Sequence, residues 1–155
     1  MKKEPAFKPK RGQIDYTHAR WCPVINCVVQ YKNKILIVKR SAGLRLYPNL
    51  WNGIGGFLDD KKSLEEKVQE ELREELGIAS KDISSIRLGE IFDCDDPKYK
   101  KTWVIHPVLV KVKKDKIKLD WEAEEYEWIQ PARVRNIKFA PGFRTVLEKL
   151  KKYFR

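Results

Sequence analysis

One segment, residues 63–76, constrains the fold of this chain more than any other, because it carries both ends of a helix in its own sequence. Ser63 followed by Glu66 is the pattern of a capping box, and Gly77 is the residue type that most readily takes the left-handed conformation at a helix C-terminus. With about 3.6 residues per turn, the apolar residues of the segment share one stripe. They are Leu64, Val68, Leu72 and Leu76. The segment therefore predicts an amphipathic helix that packs on an apolar surface.

Four glutamates, Glu70, Glu71, Glu74 and Glu75, fall within six residues of this helix. On the helical projection Glu71 falls roughly 20° outside the apolar stripe and Glu75 falls inside it. Carboxylates four residues apart repel each other, and moving them toward an apolar surface adds a desolvation cost. A hard divalent cation, magnesium or manganese, would offset both effects. The alternative is a glutamate-rich helix face in contact with solvent.

The charge of the chain is unevenly distributed. The net charge is +11, yet residues 59–75 hold eight acids against four bases, and residues 120–127 hold five acids and no base. The rest of the chain holds nine acids against 29 bases. Opposite fields on one small protein indicate that cations are held at one place and phosphates are attracted to another.

Length and composition predict one globular domain, residues 18–155, preceded by a basic and flexible arm, residues 1–17. The sequence has no apolar run long enough to span a bilayer and no N-terminal signal-peptide pattern. We therefore expect a cytoplasmic protein that does not associate with a membrane. Oligomeric state is left open between a monomer and a homodimer.

Period-two and β-branched patterns predict a set of strands, with an acidic loop at residues 93–96. The strands are expected at residues 20–31, 35–40, 51–57, 86–92, 102–112 and 126–129. A second helix is expected from the apolar spacing between residues 143 and 153. Strands and helices in this mixed order predict an α/β fold with a mixed sheet.

The glycine, turn and helix from Gly55 onward closely resemble the signature box of the Nudix hydrolases, which runs G-x5-E-x7-R-E-U-x-E-E-x-G-U, where U is a bulky apolar residue. The positions that match are Gly56, Glu71, Leu72, Glu74, Glu75, Gly77 and Ile78. The flanking segments 35–40, 103–107 and 119–131 are also similar to strands of this family, so the resemblance spans about residues 20–150. It implies a Nudix-like α/β/α sandwich, in which Glu71, Glu74 and Glu75 hold Mg²⁺ or Mn²⁺.

Two box positions depart from the family pattern by charge reversal. Lys62 stands where the box has its first glutamate, and Glu70 stands where it has its arginine. In the family these two positions mainly orient the box. We hypothesise that Lys62 and Glu70 exchange the usual polarity, so that one ion pair replaces another across the turn between loop and helix. The competing explanation is a box that has lost its catalytic role.

The resemblance implies a metal-dependent hydrolase of a phosphoanhydride, a nucleoside diphosphate linked to another group, with a metal-activated water attacking phosphorus. Family members often take one more acid from a later loop as metal ligand or base. Glu122 is the first candidate for that acid and Glu125 the second. The candidate substrate-binding residues are Arg40 for a phosphate, Trp51 for stacking on a flat group, and Gly55 and Gly56 for close backbone approach.

Two other functions remain open. The first is a catalytically silent Nudix-like domain that binds nucleotide or RNA through basic segments, namely the arm, residues 98–101 and residues 149–155. The second is an isoprenyl diphosphate isomerase, which shares the Nudix fold but needs a reactive cysteine and a distinct glutamate motif that this chain does not convincingly place.

Overall fold

The computed structural model describes residues 3–155 and contains eight strands and two α-helices among them. The first half holds β1 (Trp21–Tyr31), β2 (Lys34–Arg40), β3 (Trp51–Asn52), β4 (Ile54–Phe57) and helix α1 (Leu64–Leu76). The second half holds β5 (Ile83–Leu88), β6 (Phe92–Asp96), β7 (Lys101–Val112), β8 (Ala123–Ile129) and helix α2 (Phe143–Leu150). The tight turn at Lys32, which has a positive φ of 53°, joins β1 to β2 as an antiparallel hairpin.

The sheet is mixed. Its central pair is β1 and β7, which run parallel, and the path through the sheet is β3-β2-β1-β7-β5. Strand β4 pairs with β1, β6 with β7 and β8 with β2, all antiparallel. Strand β1 therefore pairs with β2 near its C-terminal end and with the glycine-containing β4 nearer its N-terminal end.

Alternation along the strands divides the core into two layers. On β1, Cys27 and Val29 face the first core cluster, which contains α1, whereas Val28 faces the second, which contains α2. Strand β2 alternates in the same way. The predicted α/β/α sandwich with a mixed sheet is thus confirmed.

Helix α1 forms as its local signals predict. The Ser63 hydroxyl accepts a hydrogen bond from the Glu66 backbone N–H, and the Glu66 side chain accepts one from the Ser63 N–H, both at 3.1 Å. Gly77 ends the helix in the left-handed conformation, with φ 68°. Val68, Leu72 and Leu76 are fully buried, which leaves the glutamates along the edge of the buried face.

The prediction was wrong for residues 86–96. The expected strand 86–92 is divided, because β5 ends at Leu88 and the next strand, β6, begins only at Phe92. The expected acidic loop at residues 93–96 belongs to strand β6, whose inward positions are Phe92, Cys94 and Asp96. Pairing with β7 supplies the hydrogen bonds that keep this acidic segment extended.

The N-terminal segment follows the surface of the sandwich without regular structure as far as Arg20. It is held there by contacts described below, and its flexibility stays a prediction. Met1 and Lys2, which belong to the predicted arm, lie outside the described residues. Among residues 3–155, no helix is long and apolar enough to cross a membrane.

Candidate active site

Gly56 lets helix α1 approach the sheet closely enough to bring a carboxylate to it. A Cβ at Gly56 would lie 2.5 Å from Oε1 of Glu71, which real side chains do not tolerate. At Gly55 the nearest atom to such a Cβ is the carbonyl oxygen of Ile25, at 3.3 Å. The two glycines thus differ in role, because only Gly56 makes room for a glutamate of the helix.

Three carboxylates, those of Glu71, Glu75 and Glu122, converge beside this contact. Burial is the main cause that raises the pKa of Glu71 to about 7, and the nearby charges of Glu122 and Glu74 act in the same direction. Burial together with Glu122 and Glu71 raises the pKa of Glu75 well above its ordinary value. The carboxylate of Glu75 thus lies close to those of both neighbours. Glu71 and Glu75 therefore keep their protons to a higher pH than ordinary glutamates do, and a bound cation would oppose this.

The loop that carries Glu122 is tied to the end of α1 and to β2. The backbone N–H of Asp120 donates to the carbonyl oxygen of Glu75 at 3.3 Å, and the Asp120 side chain accepts from the N–H of Glu122 at 3.0 Å. The N–H of Ser41 donates to the carbonyl oxygen of Glu122 at 2.9 Å. These bonds explain how a residue distant in sequence reaches the glutamates of the helix.

The carboxylate oxygens of these glutamates are suited to a divalent cation. Among the described residues, Oε2 of Glu75 is a buried oxygen without a hydrogen-bond partner. One oxygen from each of Glu70, Glu71 and Glu74 also lies within 4.8 Å of the others. Glu71 belongs to both groups, and carboxylate oxygens are the ligands that Mg²⁺ and Mn²⁺ prefer.

The charge exchange in the box produces an ion pair. Nζ of Lys62 lies 2.8 Å from Oε2 of Glu70 and 3.0 Å from Oδ2 of Asp60. Behind this pair, the buried Lys67 contacts Asp59 at 3.2 Å and Asp60 at 3.0 Å. The ion pair between Lys62 and Glu70 joins the loop before α1 to the helix, as the hypothesis of exchanged polarity requires.

A cavity of about 180 Å³ opens next to the carboxylates. Arg40, Gly55, Gly56, Glu75 and Glu122 all line it. The Nε–H of Arg40 donates to the carbonyl oxygen of Leu46 at 3.0 Å, which fixes the guanidinium group at the cavity wall. The opposite part of the wall is apolar and includes Leu44, Phe57, Trp103 and Ile105.

Four of the sequence candidates are not among the residues that line this cavity. Glu71 lies against Gly56 of the cavity wall, and Glu74 is exposed on the helix. The other two, Trp51 and Glu125, have partners elsewhere. Trp51 packs in the second core cluster, and its backbone bonds to Lys138 and Ala140, so it does not line the cavity and the expected stacking role is not supported. Glu125 lies on β8, exposed, with its carboxylate 3.5 Å from Nζ of Lys39. Of the two candidate acids from the late loop, only Glu122 reaches the cavity.

Sequence reasoning missed an amide pair in the cavity wall. Nδ2 of Asn26 donates to Oδ1 of Asn52 at 3.1 Å, and both residues line the cavity. Asn26 is only 7% exposed, and its Oδ1 is buried without a partner among the described residues. A polar residue amid the apolar run of β1 was the one signal that could have indicated it.

Two lysines of the basic segments already have partners within the protein. Lys101 is buried, and its Nζ donates to the carbonyl oxygens of Tyr16, Thr17 and Ala19 at 2.9, 3.2 and 2.8 Å. Lys149 pairs with Glu90 at 2.9 Å. Lys101 is thus a structural residue, because its ammonium group already has three acceptors.

Comparison with known proteins agrees with this geometry. The family model described as the NUDIX domain matches residues 20–150. The chain belongs to the Nudix family. By family the protein is a Nudix hydrolase, a class of enzymes that cleave phosphoanhydride bonds. A comparison with curated proteins finds no significant match.

Several solved structures share the fold at low sequence identity. A MutT protein from Methanosarcina mazei Go1 has 21% identity and a TM-score of 0.67, covering 87% of this chain and 96% of its own. The NUDIX domain of Shewanella oneidensis NrtR, complexed with ADP ribose, has 18% identity and a TM-score of 0.69, covering 88% and 90%. A C. elegans Ap4A hydrolase has 16% identity and a TM-score of 0.67, covering 85% and 96%.

Proposed function

We propose that this protein is a magnesium- or manganese-dependent hydrolase of a phosphoanhydride in which a nucleoside diphosphate is linked to another group. The observation that carries the proposal is that Glu75 and Glu122 line a cavity whose wall also contains Arg40, with Glu71 next to Glu75. Similar folds complexed with ADP ribose or named for Ap4A hydrolysis support a nucleotide as the substrate class.

The cation would be held by Glu71, Glu74 and Glu75. When bound, it supplies neutralisation of phosphate charge and a lowered pKa for a nearby water. A cation there also explains why carboxylates with raised pKa values are gathered in one place, since it would replace the protons that they otherwise retain.

Other residues of the protein carry out the remaining steps of the reaction. Glu122 accepts the proton of the attacking water, because its carboxylate lies beside Glu75 on the cavity wall. Arg40 binds a phosphate through its guanidinium group, which the bond to Leu46 already orients. Gly55 and Gly56 allow the diphosphate to approach the backbone of β4. Hydrolysis then needs positioning and charge stabilisation rather than a protein nucleophile.

The test is a substrate panel of nucleoside triphosphates, dinucleotides, nucleotide sugars and capped RNA, assayed with Mg²⁺, with Mn²⁺ and with a chelator. We expect turnover of at least one compound that the chelator abolishes. Glu74→Gln and Glu75→Gln should lower kcat/KM by about 100-fold or more, since loss of residues that merely support a ligand already costs about 10- to 100-fold.

Glu65→Gln is the matched control, because Glu65 is an exposed glutamate in the first turn of the same helix. It should retain the activity of the unaltered protein. If no compound is turned over and RNA binds tightly without metal, the proposal is wrong and the silent nucleotide- or RNA-binding domain is favoured.

A further inference from the structure

A second cavity, of about 340 Å³, lies beside the first and is roofed by the N-terminal segment. Glu4, Leu46 and Phe57 line both cavities. From the N-terminal segment, Phe7, Ile14 and Tyr16 contribute to the second one. These residues belong to the described part of the predicted arm, residues 3–17, which borders this cavity.

The first end of the arm is held at the loop after β2. The backbone N–H of Glu4 donates to the carbonyl oxygen of Gly43 at 3.1 Å. Its carboxylate accepts from the N–H of Arg45 at 3.0 Å and lies 3.5 Å from Nε of Arg45. The same loop supplies Leu46, whose carbonyl oxygen orients Arg40. The arm therefore contacts the loop that holds the proposed phosphate-binding arginine.

The second end is held at the loop before α1. The N–H of Ile14 donates to the carbonyl oxygen of Asp59 at 2.6 Å, and Nε2 of Gln13 donates to Oδ2 of Asp59 at 2.7 Å. Asp59 in turn pairs with Lys67 on the helix of the glutamates. The arm is thus a built wall of the site, fixed to the two loops that flank the carboxylates.

The charged groups in the wall of the second cavity are already paired within the protein. Asp59 is bonded to Gln13 and Lys67, and Nζ of Lys101 is bonded to three carbonyl oxygens. Asp15 accepts from the hydroxyl and the N–H of Thr17. The other cation of this wall, Arg45, lies 3.5 Å from the carboxylate of Glu4. Both cations thus have partners within the protein, and a phosphate would also meet carboxylates here, so the cavity disfavours an anion.

The surfaces that remain are apolar and aromatic. Phe7 is 39% exposed and Ile14 is 53% exposed, and both line the cavity. The rings of Tyr16 and Phe57 stack with centroids 5.8 Å apart and planes 11° apart. Such a wall suits a neutral, flat group, which would cover the exposed apolar side chains.

Size supports the same conclusion. The first cavity alone is smaller than the roughly 300–1,000 Å³ of ordinary ligand sites, whereas the two adjoining cavities together fall within that range. Resting on the function proposed above, we propose that the cavity beneath the arm is a second substrate subsite. It takes a neutral, planar group attached to the far phosphate, such as the second nucleoside of a dinucleoside polyphosphate.

A pair of substrates tests this subsite: a dinucleoside tetraphosphate, which reaches the second cavity, and the nucleoside triphosphate with the same base, which does not. Replacing both Phe7 and Ile14 by serine should lower the ratio of kcat/KM for the dinucleotide to kcat/KM for the triphosphate about tenfold. The matched control replaces Lys8 and Lys10, which lie on the arm but do not line the cavity, and should leave that ratio unchanged. Equal losses for both substrates, or an unchanged ratio in the Phe7 and Ile14 variant, would overturn the inference.

A binding measurement decides the question even if neither compound is hydrolysed. Lys10 and Arg11 lie exposed on the arm, so we expect trypsin to cut the unaltered protein after them. A non-hydrolysable, methylene-bridged dinucleoside tetraphosphate should slow this cleavage with Mg²⁺ present, and the corresponding triphosphate analogue should not. Protection without turnover of either substrate would support the subsite and count only against hydrolysis of these two compounds; the full substrate panel described above decides the proposed hydrolase. No protection, or equal protection by both analogues, would refute the subsite.

Discussion

The carboxylate cluster should make the metal-free protein less stable as pH rises from 5 to 8. The pKa of Glu71 is about 7 in the folded protein against an ordinary value of 4.5. Between these values the folded state keeps a proton that the unfolded state has released. Because the unfolded state binds fewer protons, the free energy of unfolding falls as pH rises through this window. Glu75, whose pKa is also raised, acts with the same sign.

The size of the effect follows from the shift of Glu71. One pKa unit corresponds to about 1.36 kcal/mol, so a rise from 4.5 to about 7 corresponds to a loss on the order of 3 kcal/mol above pH 7. For a domain of this length, 1 kcal/mol shifts the melting temperature by about 2–4 °C. A change on the order of 5–10 °C is therefore expected between pH 5 and pH 8.

Glu71→Gln isolates this contribution, because glutamine resembles the protonated side chain and cannot ionise. Denaturant unfolding in a chelator at pH 5, 6, 7 and 8 should show that the variant gains stability over the unaltered protein as pH rises. Subtracting the two curves removes the contributions of other titrating groups, and Glu65→Gln provides the exposed control.

Magnesium should reverse the loss in the unaltered protein. A ligand at about 100 times its dissociation constant adds about 2.7 kcal/mol to the free energy of unfolding, and the glutamine variant should gain much less. If the unaltered protein instead becomes more stable from pH 5 to 8 in chelator, or if Glu71→Gln follows the same curve, the carboxylates do not hold protons as inferred.

Two further predictions concern the box. Lys62→Glu and Glu70→Arg should each lower kcat/KM at saturating Mg²⁺, and the double variant should recover most of it; additive losses would show that the two residues do not act as a pair. Gly56→Ala should weaken Mg²⁺ binding, measured by calorimetry, because its Cβ would displace the carboxylate of Glu71, whereas Gly55→Ala should have a smaller effect. Equal effects of the two alanines would contradict the close-contact argument.

The sequence predicted α1 in detail because its determinants are local. The capping box joins residues three apart, and Gly77 closes the last turn through bonds within the same segment. The buried stripe also follows from helical spacing alone. For the same reason the glutamates could be placed relative to the apolar face before any tertiary contact was known.

The segment around β6 was beyond such reasoning because its structure depends on a distant partner. Aspartates are poor strand formers, so Asp93, Asp95 and Asp96 favour a loop when the sequence is taken alone. Pairing with β7 overrides that preference, and Thr102 contributes a hydrogen bond from its hydroxyl to Asp95 at 2.6 Å. An acidic edge strand is visible only when its neighbour is known.

The positions of residues in the cavity wall also depend on distant partners, and the sequence alone could not predict them. Glu122 was predicted as a candidate from its acidic surroundings, but its distinction from Glu125 depends on which side chain faces the end of α1 and which pairs with Lys39. Asn26 and Asn52 meet only because β1 and β3 bring them together through the sheet. Long-range pairing decides these positions, and no pattern in one sequence encodes it directly.

The exchanged charges in the box have a consequence for the cation itself. In the family pattern an arginine stands beside the metal-binding glutamates, whereas here Glu70 lies there, with an oxygen within 4.8 Å of oxygens from Glu71 and Glu74. Its positive partner, Lys62, is farther out in the loop and 45% exposed, so solvent screens it more than it screens the partly buried Glu70. The ion pair is preserved, but the field at the glutamates becomes more negative.

This arrangement should favour the cation and disfavour an anionic substrate that arrives without one. The Lys62→Glu, Glu70→Arg double variant should therefore recover turnover while needing a higher Mg²⁺ concentration for half-maximal activity, and a lower requirement would show that the pair orients the loop without contributing to the field at the cation.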